Sequence, residues 1–421
     1  MTLPYSSLDT HRWLLRDGPR LEAFNQALKE VIQPGMVVLD VGAGSGVLSF
    51  LAARAGASRV YAVESTPVAR LARQLAAHNR IDTIVHVVES DLLNVNLPEK
   101  VDLIVSEWLG TIGVDENLLY PVLIARDRWL KPDGVMMPKK VTALLAPAQL
   151  ATRVEINHLH APAADSPLHL LNLAPLSEHS FHDLLCRRYQ IRPDDLAAVP
   201  QIIWVTNCQT DSLDTALCAL HAELSFRFSE PRQINSLVAW FAAELSPGRI
   251  LSNSPDLPET HWGQLTLPLN TIRDVPAGGR LDVRIACIPR VPGVSDLNWA
   301  VRLDEGSWEI HDTRMVPPNP PQPSVVAQYV PCSVPMNPAP CQPTPVLPAV
   351  PAQVQLPSPE QAAPLTQFLA RLSVDTEILY RLICDPQAVF ELEGLSSDDI
   401  SALTSRDAGQ IVMAMMKETV A

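Results

Sequence analysis

The sequence lacks the features that define several common classes of protein. Its seven cysteines are odd in number and include no Cys-x-x-Cys pair, so we expect neither a disulfide framework nor a zinc site, and no bound metal. The first residues lack the basic start and apolar core of a secretion signal, and no stretch reaches the ~18 apolar residues that a membrane helix needs. These absences predict a soluble cytoplasmic protein with no membrane partner.

Basic residues are also scarce, because 32 lysines and arginines stand against 46 aspartates and glutamates. The formal net charge is -14 and the pI is about 5.2. A protein that binds nucleic acid needs a basic face, so we expect no nucleic-acid partner, and the acidic balance suits a cationic substrate. The 421 residues, 47% of them hydrophobic, allow two or three domains with apolar cores.

The central motif is the stretch from Val37 to Leu48. It begins with a mostly apolar run, which predicts a buried strand interrupted only by Asp40 near its end. Glycines follow at alternate positions: Gly42, Gly44 and Gly46. This spacing makes a tight turn into a helix and lets a ligand approach bare backbone, although ordinary strand-to-helix turns also carry such patterns.

The next predicted strand, Arg59–Glu64, ends in an acid about 20 residues after the glycines. An acid at this place binds the ribose hydroxyls of a cofactor that contains adenosine, which leaves NAD and S-adenosylmethionine as alternatives. The motif formed by Asp40 and the glycines that follow it resembles the cofactor loop of the class I S-adenosylmethionine-dependent methyltransferases. In that class the aspartate and the glycine loop hold the methionine part of the cofactor.

The order of the predicted elements indicates an α/β fold. Residues 1–33 show helical spacing with a break at Gly18-Pro19, and we expect them to form a helical segment that covers the cofactor. Strands and helices alternate through 34–138, which predicts a doubly wound parallel sheet of the Rossmann-like type. Its further elements are expected at Val60–Val63, Val68–Ala77, Ile84–Val88 and Leu103–Val105.

The alternation of predicted strands and helices ends after residue 138. Strand-like runs separated by turn residues predict an antiparallel β-barrel domain over 139–315. The segment 157–198, with short helical pieces such as Ser180–Leu185, is expected to leave the barrel. Residues 316–364 are rich in proline and predict an extended linker, and 365–421 predict a small helical module that docks a partner. The strand-like runs are Val141–Leu145, Ile202–Val205, Ala222–Phe228, Ser236–Ala243, Leu265–Leu269, Arg280–Ile288 and Trp299–Leu303.

Two glutamates follow the last predicted strand of the parallel sheet. Glu107 lies at its carboxyl end, where ligands bind in this architecture, and Glu116 follows in the next loop. Two glutamates at such a separation are usually unrelated surface charges, but Glu107 is placed beside the cofactor crevice. Two carboxylates that converge on one point suit a guanidinium, which presents a fork of donors.

Taken together, these motifs resemble a protein arginine N-methyltransferase of a bacterial type. That family has two glutamates on a hairpin that begins Ser-Glu-Trp, as Ser106-Glu107-Trp108 does here, and a Thr-His-Trp loop matched by Thr260-His261-Trp262. Its N-terminal helix carries a histidine, an aspartate and an arginine at the spacing of His11, Asp17 and Arg20. The resemblance covers about residues 5 to 310, in the same order.

The resemblance implies a role for each matching residue. S-adenosylmethionine would be held by His11, Arg20, Asp40, Gly42, Gly44, Gly46, Glu64, Asp91, Leu92 and Glu107. Within this set, Arg20 would pair with the carboxylate of the methionine part, Glu64 would bind the ribose, and Asp91 with Leu92 would flank the adenine. Glu107 and Glu116 would clamp the substrate arginine of a protein or peptide.

The remaining roles concern catalysis and assembly. The resemblance implies that His261 and Asp17 form a pair that relays or steadies a proton, and that Trp108 and Trp262 line the substrate groove. The segment 157–198 occupies the place of the family's dimerisation arm, which predicts a homodimer.

Several positions depart from the family pattern and leave questions open. Leu14 and Leu118 stand where methionines are common, Thr111 stands where a tyrosine is common, and the family's N-terminal aromatic helix is expected to be largely missing. The type of methylated product and the protein target are therefore open. Two alternatives also remain: a methyltransferase of a small guanidine or amine, and a non-catalytic protein that binds the cofactor and recruits partners.

Overall fold

The computed structural model describes residues 7–151, 181–182, 185–186, 191–291, 293–314, 368, 395–397 and 400. The predicted linker 316–364 lies outside the described residues, as do nearly all of the module 365–421 and most of the arm 157–198. Within the described ranges, no helix is long and apolar enough to cross a membrane. The domain limits drawn from the sequence stay predictions.

Two helices precede the parallel sheet, α1 (Leu8–Leu14) and α2 (Gly18–Val31). The predicted break at Gly18-Pro19 is wrong by a few residues, because these two residues form the first turn of α2. Proline is tolerated there because the amide that it lacks would have no partner within the helix. The true break lies just before Asp17, whose carboxylate caps α2 by accepting the Arg20 backbone N–H at 2.9 Å.

The first sheet has five parallel strands in the order β3-β2-β1-β4-β5, which confirms the predicted doubly wound sheet. Strand β1 is buried along its whole length, as expected for a strand covered on both faces. The strands are β1 (Val37–Val41), β2 (Arg59–Glu64), β3 (Val85–Glu89), β4 (Val101–Ser106) and β5 (Leu130–Met137). The helices between them are α3 (Val47–Arg54), α4 (Val68–His78) and α5 (Leu119–Trp129).

The β region that follows forms two further sheets. One has the order β7-β12-β10-β6-β8 with β11 added to β10, and the other has the order β15-β14-β13-β9. Neighbouring strands in these sheets pair in antiparallel fashion, as predicted. The strands are β6 (Lys140–Ala148), β7 (Leu185–Cys186), β8 (Gln201–Asn207), β9 (Leu220–Arg227), β10 (Arg232–Ser246), β11 (Arg249–Ser252), β12 (Leu265–Val275), β13 (Arg280–Val291), β14 (Val294–Leu303) and β15 (Glu309–Asp312).

Every strand-like run of the sequence became a strand, and three short strands were not predicted: β7, β11 and β15. The helical prediction for Ser180–Leu185 is wrong where the structure describes it, since Leu185 pairs with Thr266 of β12. Pairing with a distant strand outweighed the local preference.

The loop after β4 contributes to the apolar core of the β region. This core contains Leu237 and Leu267 of one sheet, Val283 and Trp299 of the other, and Ile112 from the loop after β4. The side chain of Ile112 is fully buried there. The loop that carries the two glutamates is therefore anchored in the β region.

Candidate active site

The candidate site lies where the order of the parallel strands reverses. Strand β1 lies between β2 and β4, so the carboxyl ends of β1 and β4 face the same crevice. Asp40 is near the end of β1 and Glu107 directly follows β4. This edge is where open α/β sheets bind their ligands, and the structure places both predicted residues there.

The glycine loop has the backbone conformation that its sequence implies. Gly42, Gly44 and Gly46 all have positive φ, at 71°, 54° and 86°. The Gly44 N–H donates to Glu64 Oε2 at 2.8 Å, and Glu64 Oε1 accepts the Thr66 N–H at 2.7 Å. The carboxylate of Glu64 is thus fixed against the loop, and each of its oxygens keeps capacity to accept a further hydrogen bond.

The imidazole ring of His11 packs against the same glycine loop at Gly44. A Cβ atom added to Gly44 would come within 2.8 Å of the His11 Cε1 atom, so a larger residue at position 44 would displace the imidazole. His11 is buried on the first helix. The structure therefore brings this predicted cofactor residue to the glycine loop.

Asp91 and Leu92 lie after β3 at the same edge of the sheet. Asp91 Oδ1 accepts the Leu93 N–H at 2.7 Å and so begins a short 3-10 helix, Leu92–Asn94. The preceding residue, Ser90, donates its N–H to the Glu64 carbonyl at 3.1 Å. The predicted adenine and ribose residues are therefore joined through backbone.

Asp40 is a buried acid with an altered ionisation. The Ser49 hydroxyl donates to Asp40 Oδ2 at 2.7 Å. Burial raises the pKa of Asp40 to about 7, and the charge of Glu64 adds to this, while the hydrogen bonds from Ser49 and the charge of Arg20 oppose it. Near neutral pH the crevice therefore contains a carboxyl group, Asp40, that is only partly ionised.

Replacing Asp40 by asparagine should remove a pH dependence of stability. In the folded state Asp40 holds a proton up to about pH 7, whereas the unfolded chain releases it near pH 3.8. The free energy of unfolding of the wild-type protein therefore falls over this interval as pH rises, by roughly 4 kcal/mol from this group. We expect Asp40→Asn to match the wild type at pH 4 and to exceed it by about 2–4 kcal/mol at pH 8.

Urea unfolding of both proteins at the two pH values checks this prediction. The asparagine keeps an acceptor for Ser49, so the comparison isolates the charge. A difference in stability that is the same at pH 4 and pH 8 would contradict it.

An ion pair joins the predicted cofactor and substrate groups. Arg20 donates from Nε at 3.1 Å and from Nη2 at 2.9 Å, both to Glu107 Oε2. The two side chains are only 6% and 11% exposed. Glu107 Oε1 accepts the Leu109 N–H at 2.9 Å, so both of its oxygens are oriented. The resemblance gave each residue a role toward a ligand, and the structure shows in addition that they contact each other directly.

The two glutamates lie at opposite ends of a tight hairpin. Gly110 and Gly113 exchange backbone hydrogen bonds at 3.2 and 3.0 Å. Glu107 precedes this hairpin and Glu116, which is half-buried, follows it. The Glu116 carbonyl accepts the Gly293 N–H at 2.6 Å, which fixes the backbone of the second glutamate to the β region.

Asp115, which the sequence left without a role, holds the turn of this hairpin. Its carboxylate accepts the N–H groups of Thr111 at 3.2 Å and Ile112 at 2.9 Å. The sequence contains the signal, because aspartates often bond nearby backbone amides in turns.

Asp17 and His261 form the predicted pair. Asp17 Oδ2 lies 2.7 Å from His261 Nδ1 and accepts the His261 backbone N–H at 2.8 Å. Burial raises the pKa of Asp17, but the hydrogen bonds from His261 and from the Arg20 backbone outweigh it and hold the pKa below its usual value. The carboxylate thus stays ionised and orients the imidazole. A cleft of about 350 Å3 adjoins the pair.

The two tryptophans are placed in the interior. Trp262 is 1% exposed, donates its indole N–H to the Leu109 carbonyl at 2.7 Å, and packs edge-on against Phe241 with ring centres 5.0 Å apart. Trp108 is 3% exposed. The ring and the N–H of Trp262 thus hold the base of the hairpin, and the groove role of both tryptophans stays a prediction.

Sequence reasoning missed one buried side chain, Asn253. Its amide bonds three backbone groups: the Phe241 N–H at 2.9 Å, the Thr111 carbonyl at 2.8 Å and the Gly263 carbonyl. Since Thr111 is 142 positions away, no local pattern could have shown this link. In the part of the chain that the structure describes, no cluster of three or more His, Cys, Asp or Glu residues is arranged to hold a metal.

Comparison with known proteins places the chain in a family. Protein arginine N-methyltransferase PRMT10 of Oryza sativa subsp. japonica is 30% identical over 340 residues, which cover 73% of this chain and 87% of that protein. The chain belongs to the protein arginine N-methyltransferase family. Protein arginine N-methyltransferase 6 of Xenopus laevis is 31% identical over 280 residues, covering 63% of this chain and 79% of that protein. The predicted family is confirmed, and the bacterial type stays a prediction.

Two family models match parts of the chain. One is described as the arginine methyltransferase oligomerization subdomain and matches residues 173–305. The other is described as ribosomal protein L11 methyltransferase (PrmA) and matches residues 24–123. The second match spans α2 to α5, and a shared fold in that region does not identify the methylated substrate.

Solved structures of family members show the same fold. The Trypanosoma brucei PRMT1 enzyme-prozyme heterotetrameric complex with AdoHcy aligns with a TM-score of 0.64 at 26% identity, covering 73% of this chain and 98% of that chain. The Arabidopsis thaliana protein arginine methyltransferase 10 aligns with a TM-score of 0.62 at 27% identity, covering 74% and 99%.

Proposed function

We propose that this chain transfers a methyl group from S-adenosylmethionine to a guanidino nitrogen of protein arginine. The observation that carries the proposal is the position of the two-glutamate hairpin. It begins directly after β4, at the crevice that also contains Asp40 and the glycine loop. The residues proposed to hold the cofactor and those proposed to bind the guanidinium therefore lie at one edge of the sheet.

The residues present fit the cofactor. Glu64 is held against the loop by Gly44, and its oxygens can accept the ribose hydroxyls. Arg20 lies in the same crevice. Its Nη1 donates to the Leu14 carbonyl at a long 3.4 Å, so the guanidinium keeps donor capacity for a carboxylate. When bound, S-adenosylmethionine supplies a methyl group on a positively charged sulfur.

The two glutamates act on the weak nucleophilicity of the substrate guanidinium. An arginine side chain is always protonated, so its nitrogen lone pairs are delocalised and weak nucleophiles. Two carboxylates localise the positive charge on one side of the guanidinium and orient the other terminal nitrogen. Orientation of this kind contributes up to ~7–11 kcal/mol. The same charges stabilise the cationic product.

The remaining residues fix this geometry. Glu107 is oriented by Arg20 and by the Leu109 N–H, so it does not need to reorganise when a substrate enters. Asp17 holds His261 Nδ1, which directs the other ring nitrogen away from the pair. We assign to His261 and Asp17 the role of stabilising the proton that the substrate guanidinium releases during methyl transfer.

The function is tested with labelled S-adenosylmethionine and two peptides that differ only in arginine or lysine. We expect label on the arginine peptide, located on the side chain by mass spectrometry. Transfer to lysine alone, or to a small guanidine such as agmatine but to no peptide, would overturn the proposal. Cofactor binding without any transfer would favour the non-catalytic alternative.

We also propose that the chain acts as a homodimer. Support comes from the oligomerization subdomain match at 173–305, which overlaps the predicted arm 157–198. Light scattering at micromolar concentration should give the mass of a dimer, and deletion of residues 160–195 should give a monomer with poor activity. An intact protein that is monomeric and fully active would contradict this. The cytoplasmic location and the docking role of 365–421 stay predictions.

A further inference from the structure

In the sheet that supports the hairpin, the hydrogen-bond ladder on one side of β10 has a gap, while the other side of β10 pairs with β6 through the same residues. Strand β10 pairs with β12 as far as Ala239 and with β11 from Ala242 onward. Phe241 lies between these two ladders. Side chains complete its backbone bonds there, since Asn253 accepts its N–H at 2.9 Å and the Ser252 hydroxyl donates to its carbonyl.

The tip of the hairpin lies against this gap. A Cβ atom added to Gly113 would meet Val141 Cγ1 at 2.6 Å and Phe241 Cβ at 3.2 Å, so the hairpin backbone is in close contact with the sheet. The neighbouring Ile112 is fully buried in the β core. The position of the tip therefore depends on what holds it at Phe241.

Asn253 connects the three parts that meet at the gap. Its Oδ1 accepts from Phe241 of the sheet, and its Nδ2 donates to Thr111 at the hairpin tip and to Gly263 after the Thr-His-Trp motif. The residue is 1% exposed, so water cannot replace these bonds. Both amide protons of the side chain are used.

We infer that Asn253 is a positioning residue for arginine methylation, and this inference rests on the proposed function. It fixes the hairpin that carries Glu107 and Glu116 relative to the loop that carries His261. A shift of about 1 Å in such groups can cost a hundredfold in rate. Among the residues that the structure describes, the Asn253 side chain bonds Phe241, Thr111 and Gly263 and neither the glycine loop nor Glu64, so cofactor affinity should not depend on it.

The test compares Asn253→Ala with Asn235→Ala. Asn235, which lies on β10, is a matched control because it too is a buried asparagine that bonds backbone. It donates to the Leu150 carbonyl at 2.8 Å and accepts the Leu150 N–H at 2.9 Å. Both variants lose a buried amide, but only one touches the hairpin. For Asn253→Ala we expect hydrogen exchange to rise in peptides covering 107–117 and not in those covering 40–50, and Asn235→Ala should leave 107–117 unchanged.

Kinetics supply the second readout. For Asn253→Ala we expect kcat on an arginine peptide to fall about ten- to a hundredfold while the Kd for S-adenosylhomocysteine stays within about twofold. The exchange experiment needs no activity, so it remains decisive if the wild type proves not to methylate arginine. Unchanged exchange in 107–117, or wild-type kcat in a folded Asn253→Ala variant, would overturn the inference.

A charged variant gives a pH signature that a general loss of stability would not produce. In Asn253→Asp, a carboxylate oxygen replaces Nδ2 and faces two carbonyls, whereas the protonated acid can donate to one of them. The activity of Asn253→Asp relative to wild type should therefore rise at least fivefold as pH falls from 9 to 6. A flat ratio in the folded variant would contradict the assigned donor role.

Discussion

Replacing Glu107 or Glu116 by glutamine should lower the rate of methyl transfer to an arginine peptide by about two to four powers of ten. Glutamine keeps the shape of the side chain and removes its charge. Removing one member of a buried charged pair costs about 3–5 kcal/mol, and each 1.36 kcal/mol lost at the transition state is tenfold in rate. The measurement is labelled transfer to arginine and lysine peptides of otherwise identical sequence.

The two variants should differ in stability. Glu107 also bonds the Arg20 guanidinium, which is 6% exposed, so Glu107→Gln leaves a buried cation with a neutral partner. We therefore expect Glu107→Gln to lower the melting temperature of the cofactor-free protein by several degrees, and Glu116→Gln to lower it less. This difference separates the structural role of Glu107 from its role toward the substrate.

Asp115 is unsuitable as a charge control because it holds the hairpin turn. Glu22 is better, since it is exposed on α2 and its carboxylate accepts hydrogen bonds from the nearby Asn25 and Gln26 side chains of the same helix. Glu22→Gln should keep wild-type activity. Full activity of both Glu107→Gln and Glu116→Gln would refute the arginine clamp and favour the small-molecule alternative.

Replacing Arg20 by alanine should impair cofactor binding and turnover together. The variant loses the proposed anchor of the cofactor carboxylate and leaves Glu107, which is 11% exposed, as an uncompensated buried charge. Charge-assisted hydrogen bonds contribute about 1.5–3 kcal/mol, so we expect the Kd for S-adenosylhomocysteine to rise about ten- to a hundredfold. The rate of methyl transfer should fall by at least the same factor, because Glu107 is no longer oriented.

Calorimetry and the peptide assay measure the two effects of Arg20→Ala. Arg20→Lys should recover only part of each, because lysine keeps the charge but lacks the fork that bonds Glu107 twice. The control is Arg70→Ala, which removes a surface pair with Glu89 at a side chain that is 70% exposed and should change little. Wild-type cofactor affinity in Arg20→Ala would show that Arg20 serves Glu107 alone.

The amino-acid sequence by itself determined the parallel sheet, the glycine loop and the acid at the end of β2. These features depend on neighbouring residues: an apolar run forms a buried strand, and glycine accepts the positive φ that the turn requires. The motifs also identified the family. Their spacing along the chain reflects local geometry, so it can be read without knowing how distant segments meet.

The tertiary structure alone decided how those motifs work together. The pair of Arg20 and Glu107 joins residues 87 positions apart, and Asn253 bonds a residue 142 positions away. Such contacts depend on the order of strands and on which sheet a loop packs against, which no local pattern encodes. For the same reason only the tertiary structure shows that Trp262 lies under the hairpin, where its N–H satisfies the Leu109 carbonyl inside a core that water does not reach.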